Sequence, residues 1–182
     1  MVDPVRELKT RAELLHRAVA SGDVQAHGRL RALPELKKAD EEALASAAAR
    51  MQRKHCLAVV AREHGFTSWE QAKRVLGGSA EETDFGTMLY GVASWGFLHP
   101  CFATYTETHV FADDALRSGG RPFLLAFGRQ FFVAGSAFVA SLGLDPQDAD
   151  WRAIGWDWPR PRDGDARRRL YAKRITALRG PR

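Results

Sequence analysis

Residues 55–78 read HCLAVVAREHGFTSWEQAKRVLGG, and the punctuation of this stretch decides the class of fold. An apolar helical run ends at Gly65, a residue suited to the left-handed position that closes a helix. Thr67 can then cap a second helix, with Glu70 three residues on completing a capping box, and Ser68 with Gln71 would serve equally. Phe66 and Trp69 are expected to lock the second helix against the first. The stretch is therefore helix, stop, cap, helix.

Toward the N-terminus the same grammar repeats. Asp3 and Pro4 suit the start of a helix over 4–20. Val5, Leu8, Ala12, Leu15 and Val19 give that helix one apolar face. Ser21-Gly22-Asp23 stops it and caps a short helix over about 24–33, which Pro34 ends. Asp40 starts a long helix expected to run to His64. Gly77-Gly78 and the polar residues after them read as a linker over 79–83. Residues 1–78 form a helical module of about four helices.

Beyond the linker the composition changes. Fourteen of the chain's 18 aromatic residues lie between Tyr90 and Trp158. A helix is expected over 100–116, stopped by Gly119-Gly120. PFLLAFGRQFFVAG (122–135) reads as a β-hairpin turning at Gly128-Arg129, a pair that fits a type II′ turn. Further helices follow over 136–142 and from Asp145-Pro146 to Ile154. Gly164–Leu178 reads as an amphipathic basic helix with Leu170, Tyr171 and Leu178 on its apolar side. The expected fold is mainly α, of the α+β kind. It has a helical module (1–78), an aromatic unit with one hairpin (84–158) and a basic C-terminal helix and tail (159–182).

The net charge of +5 conceals an asymmetry. Residues 1–80 hold 14 Lys/Arg and 10 Asp/Glu, residues 81–158 hold 4 and 10, and residues 159–182 hold 9 and 2. The acidic middle is thus a candidate partner for the basic end, which weakens any inference from high pI to nucleic acid. The start, MVDPVRELK, lacks the apolar core of a secretory signal, and no apolar run has the length of a membrane span. Two cysteines, Cys56 and Cys101, supply no disulfide framework. These features point to a cytoplasmic protein without membrane association. No phosphate loop, dinucleotide fingerprint, metalloprotease motif or serine elbow is present, so no catalytic motif argues for an enzyme and no cofactor is implied.

Three polar groupings stand out. Cys101, Tyr105 and His109, at helical spacing behind His99, would share one face. Cys101 and His109 would be about 12 Å apart on a straight helix, too far to ligate one metal, so no metal site is expected. The plain alternative is a core-facing stripe. Arg129 at the hairpin turn could grip an anion or simply be solvated. Trp156-Asp157-Trp158 could wall an aromatic pocket around a carboxyl of raised pKa, or form a clasp that closes the unit. The cations Arg167, Arg168, Arg169, Lys173 and Arg174 are candidates for nucleic-acid contact, or a solvated helix face.

The segment ARExGFxSWxxxK within 61–73 resembles one common in bacterial helical and ankyrin-like proteins, and LLHRAVASGDVQAHGRLRALPEL (14–36) resembles a degenerate ankyrin-type repeat. GRQFFV, LGLDP and IGWDW resemble segments of bacterial proteins to which no activity is attached. The resemblance implies an interaction or regulatory module that binds another protein. Small-molecule binding or catalysis in an aromatic pocket of 84–158 is the alternative. Its polar groups would be His99, Cys101, Tyr105, His109, Arg129 and Asp157, with Trp156 and Trp158 as walls. Nucleic-acid binding through the basic end is the third.

Overall fold

The structure is a computed structural model that describes residues 3–78, 83–90 and 96–178. It is mainly α with a small antiparallel sheet. The chain divides into two compact units, Val5–Lys73 and Arg74–Arg182, the latter including Met1–Pro4. The predicted linker lies, for residues 79–82, outside the described residues.

In the first unit, α1 (Pro4–Ala20) buries Leu8, Ala12, Leu15 and Val19, the stripe that its periodicity dictates. Each fully buried leucine contributes about 1.5–3 kcal/mol through the hydrophobic effect. Asp23 caps α2 (Val24–Arg29) by accepting from the Gln25 and Ala26 N–H groups. That helix is shorter than expected, because the chain tightens into 3-10 turns at Leu30–Ala32 and Pro34–Leu36.

The long helix expected over 40–64 is two helices, α3 (Glu41–Ala48) and α4 (Arg53–Glu63). Gln52 is extended, at φ −113 and ψ 161, and its N–H donates to His55 Nδ1 at 3.0 Å. Histidine here takes the part that glutamate plays in an ordinary capping box. Gly65 closes α4 at φ 84. For α5 (Trp69–Gly77) the chain uses the Ser68–Gln71 pair. Ser68 Oγ accepts from the Gln71 N–H, and Gln71 Oε1 accepts from the Thr67 N–H and hydroxyl.

In the second unit the hairpin forms as read. β2 (Phe123–Phe127) and β3 (Gln130–Ala134) pair antiparallel around Gly128, at φ 56. The sheet has a third strand that the sequence reading lacked. β1 (Cys101–Phe102) pairs with β3 and gives the order β1-β3-β2. The helix expected from Pro100 therefore begins only at Tyr105, as α6 (Tyr105–Arg117), with Thr104 as its cap.

The outer edge of β2 is closed by residues 156–158. The Leu124 N–H donates to Trp156 O at 2.9 Å and the Trp158 N–H to Leu124 O at 3.0 Å. α7 (Ser136–Ser141), α8 (Ala149–Ala153) and α9 (Gly164–Ala177) complete the unit. Asp148, rather than Asp145, caps α8.

The core is aromatic. Phe123, Phe132, Phe138, Trp151, Trp158 and Tyr171 are fully buried, with Trp158 4.7 Å from Tyr171 and 5.3 Å from Trp151, centroid to centroid. α9 approaches closely at Gly143, where a Cβ would come within 2.5 Å of the Ala177 Cβ.

Candidate functional site

α6 stands between two recesses of the second unit. On one flank lies a cavity of about 630 Å³. α6 contributes Tyr105, His109, Ala112, Asp113 and Leu116, which fall on one helical face. The opposite wall is the segment after α8, where Gly155, Trp156 and Asp157 turn toward β2. Arg121, Arg152, Arg160 and Arg162 add to the lining from three separate places in the chain.

Local backbone requirements build the second wall. Gly155 sits at φ 73, and the Arg162 side chain crosses where its Cβ would be, with Nε within 2.9 Å of that point. Trp156 is the one non-glycine residue at positive φ among the described residues, at 56°. For a side chain of this size the conformation costs about 1–2 kcal/mol. It is held from both sides, by the Trp156 N–H donating to Trp151 O at 2.8 Å and by the Leu124 N–H donating to Trp156 O.

Asp157 connects the two walls. Its Oδ2 accepts from the Tyr105 hydroxyl at 2.5 Å and its Oδ1 from the Arg160 N–H at 2.9 Å. Burial raises the Asp157 pKa, opposed by these two donors and by nearby His109 and Arg160. Burial also raises the Tyr105 pKa well above the ordinary phenol value, reinforced by the hydrogen bond to Asp157 and its charge. Tyr105 is therefore a fixed donor and not a base near neutral pH. The Arg160 guanidinium lies over the Tyr105 ring, 4.0 Å from its centroid, a cation–π contact that orients it. His109 Nδ1 faces Asp113 Oδ2 at 3.1 Å.

The arginines are the unusual part. Arg121 donates to Gln147 Oε1 at 2.7 Å. The guanidiniums of Arg152, Arg160 and Arg162 make no hydrogen bond or ion pair with any described residue. Four arginines against Asp113 and Asp157 leave an excess of two positive charges. All four arginines are exposed, and guanidiniums favour carboxylate or phosphate groups.

Of the sequence candidates, Tyr105, His109, Trp156 and Asp157 meet at this cavity. Cys101 does not join them, because it is exposed on β1 opposite Phe132 rather than on the helix. His99 lies on the other flank of α6, in an apolar recess of about 390 Å³. Its ring packs on Phe138 at 4.4 Å and Phe132 at 5.2 Å, and burial lowers its pKa. Arg129 is exposed at the hairpin turn. Trp158 is a core residue, as the clasp alternative had it, whereas Trp156 faces the cavity.

The cations of α9 are largely spent within the unit. Arg167 is buried and donates to the carbonyls of Trp158 and Pro159. Arg174 is buried and donates to those of Met88 and Leu142. Arg169 and Lys173 bind Asp150, Lys173 also binds Asp148, and Arg168 lies 3.4 Å from Asp165. The cavity cations that sequence reasoning missed are Arg121, Arg152, Arg160 and Arg162. Arg160 and Arg162 belong to the basic C-terminal segment but precede its helix, and the signal that marks them is their position just after IGWDW.

Among the described residues no three His, Cys, Asp or Glu side chains are grouped as a metal site requires, and no helix is long and apolar enough to cross a membrane. No family model matches this chain, and no curated protein or solved structure matches it.

Proposed function

We propose that the second unit binds a small organic anion in the cavity between α6 and residues 155–162. The observation that carries this reading is the set of three exposed guanidiniums, Arg152, Arg160 and Arg162, that form no ion pair with a described residue at a recess of about 630 Å³. Ligand sites are concave, partly apolar and furnished with a few convergent polar groups, and volumes of roughly 300–1,000 Å³ are usual. Leu116, Ala112, Pro122 and Trp156 supply the apolar part here.

The Asp157–Tyr105 couple supports binding rather than acid–base catalysis. Both Asp157 oxygens already accept hydrogen bonds from the protein, so the carboxylate positions Tyr105 and the Arg160 backbone. A protein partner for the helical module is the competing proposal. Its support in the structure is two large apolar side chains exposed on α1 and α2, Leu14 and Val24.

Thermal unfolding with a panel of organic anions at millimolar concentration tests the cavity reading. Ligand present at 100 times its Kd stabilises by about 2.7 kcal/mol. At least one anion should raise the Tm, and the double substitution Arg152→Gln/Arg162→Gln should abolish the rise. If no anion stabilises the protein, or the double variant responds like the parent, the reading is wrong.

A further inference from the structure

We propose that the ligand of this cavity is an aromatic dianion, a phosphate monoester or a dicarboxylate, whose planar body lies on the Trp156 indole. The inference rests on the anion-binding reading above and adds the ligand's charge and shape.

The charge follows from the lining. Asp113 is engaged by His109, and Asp157 by Tyr105 and the Arg160 N–H. Both acids are thus accounted for, and two positive charges remain uncompensated. A monocarboxylate would neutralise one of them. A phosphate monoester carries about −1.5 to −2 at pH 7, and a dicarboxylate −2, so either complements the excess. Three guanidiniums without hydrogen-bond partners among the described residues also offer more N–H donors than one carboxylate can accept.

The shape follows from Trp156. Its neighbours in the WDW stretch and on α8 are spoken for. Trp158 and Trp151 pack on each other, and Trp151 also packs on Phe123 and Trp158 on Tyr171. Trp156 makes no ring contact and no side-chain hydrogen bond with any described residue. It is nevertheless held at positive φ by two backbone hydrogen bonds, and it is one of the residues that line the cavity. A strained, partly buried tryptophan at a recess, with no aromatic or cationic partner for its ring among the described residues, is suited to stack a ligand's ring. Tyr105 does not compete for this role, since Arg160 covers its face.

Isothermal titration of the full chain separates the parts of the proposal. The probes are phenyl phosphate, phthalate, benzoate and inorganic phosphate, at pH 7.5 and low salt. The tighter of phenyl phosphate and phthalate should exceed both benzoate and inorganic phosphate by about tenfold or more, the scale of one stacked ring. Which of the two binds tighter distinguishes the phosphate from the dicarboxylate source. Trp156→Leu should erase the advantage over inorganic phosphate, and Trp156→Tyr should keep most of it. The tyrosine variant, with a circular dichroism spectrum for each, guards against simple misfolding.

Benzoate binding as well as the dianions would overturn the charge inference. Inorganic phosphate binding as well as phenyl phosphate, or an unchanged Trp156→Leu, would overturn the aromatic one. In each of those outcomes the anion site itself survives. Failure of all four probes to bind, or binding untouched by Arg152→Gln/Arg162→Gln, removes the site and this inference together.

Discussion

Replacing Asp150 by Asn tests how the basic C-terminal helix is held. Asp150 Oδ1 accepts from Arg169 Nε at 2.8 Å and Nη2 at 2.6 Å, and Oδ2 accepts from Lys173 Nζ at 2.8 Å. The Asp150 side chain is 10% exposed, against 30% for Arg169 and 45% for Lys173. Hydrogen bonds to charged groups contribute about 1.5–3 kcal/mol each, but open ion pairs contribute only about 0.2–1. The asparagine keeps one acceptor and sets its amide donor against either the guanidinium or the ammonium.

Weighing these, the unit should lose about 1.5 kcal/mol, or roughly 6 °C in Tm for a body of this size. Urea unfolding followed by tryptophan fluorescence reads it directly, because Trp151 and Trp158 lie in the core of the same unit. The pH dependence adds a sign. Burial alone would raise the Asp150 pKa, but the hydrogen bonds from Arg169 and Lys173 outweigh it and the net shift is downward. A carboxyl lowered on folding stabilises above its unfolded pKa, near 3.9, and that contribution is lost as pH falls through the folded value. The gap between parent and variant should be flat from about pH 5 to 8 and narrow below about 4. A variant within about 0.3 kcal/mol of the parent at pH 7, or a gap that widens in acid, would refute the clamp.

Three further outcomes are expected. Arg174→Leu leaves the Met88 and Leu142 carbonyls without their buried donors and should cost about 3 kcal/mol in urea unfolding; a loss below about 1 would mean that water replaces the guanidinium. In the first unit, His64 Nδ1 lies 2.8 Å from Val60 O and must donate, so Nε2 accepts from Arg11 Nη1 at 2.8 Å. Burial lowers the His64 pKa, with Arg11 adding to it. Stability is therefore fully present above the unfolded value of about 6.5 and lost as pH falls through the folded one. His64→Gln should flatten that acid limb, and an unchanged limb would assign it elsewhere. Trp156→Gly relieves the positive φ and should leave stability level or raise it by about 0.5–1 kcal/mol while lowering anion affinity; clear destabilisation would show that the indole is structural.

The helices were legible where period and punctuation agreed. α1 follows from Leu8, Ala12, Leu15 and Val19, and the end of α4 from Gly65. The hairpin was legible for the same reason, since two apolar runs flank a glycine that takes positive φ. The break at Gln52 was not, because alanine-rich sequence carries no local stop and the N-cap Gln52 is partnered by a histidine instead of a glutamate three residues on. β1 was not legible either. Two residues have no period, and Cys101 and Phe102 become a strand only because β3 offers them an edge. That one error moved Cys101 off α6 and dissolved the predicted stripe, leaving Tyr105 and His109. The cations of α9 illustrate the opposite limit. Their number is plain in the sequence, but only tertiary packing shows Arg167 and Arg174 donating to buried carbonyls.

The WDW stretch shows why the site was half readable. A regular strand docked on β2 would send residues 156 and 158 to one face and 157 to the other. Both indoles would then enter the core, and Asp157 alone would reach Tyr105. The backbone does otherwise. With Trp156 at φ 56 the alternation fails, so Trp158 enters the core while Trp156 lines the same cavity as Asp157. Stability by itself favours the unstrained arrangement, in which a second indole would be buried. The chain instead holds a strained, partly buried tryptophan beside exposed guanidiniums that form no ion pair with a described residue. The backbone strain and the four exposed arginines coincide at a single cavity. The clasp explains the backbone, since Trp156 O and the Trp158 N–H close the edge of β2, and the proposed ligand, with an aromatic body and an anionic head, would give the side chains beside it a use.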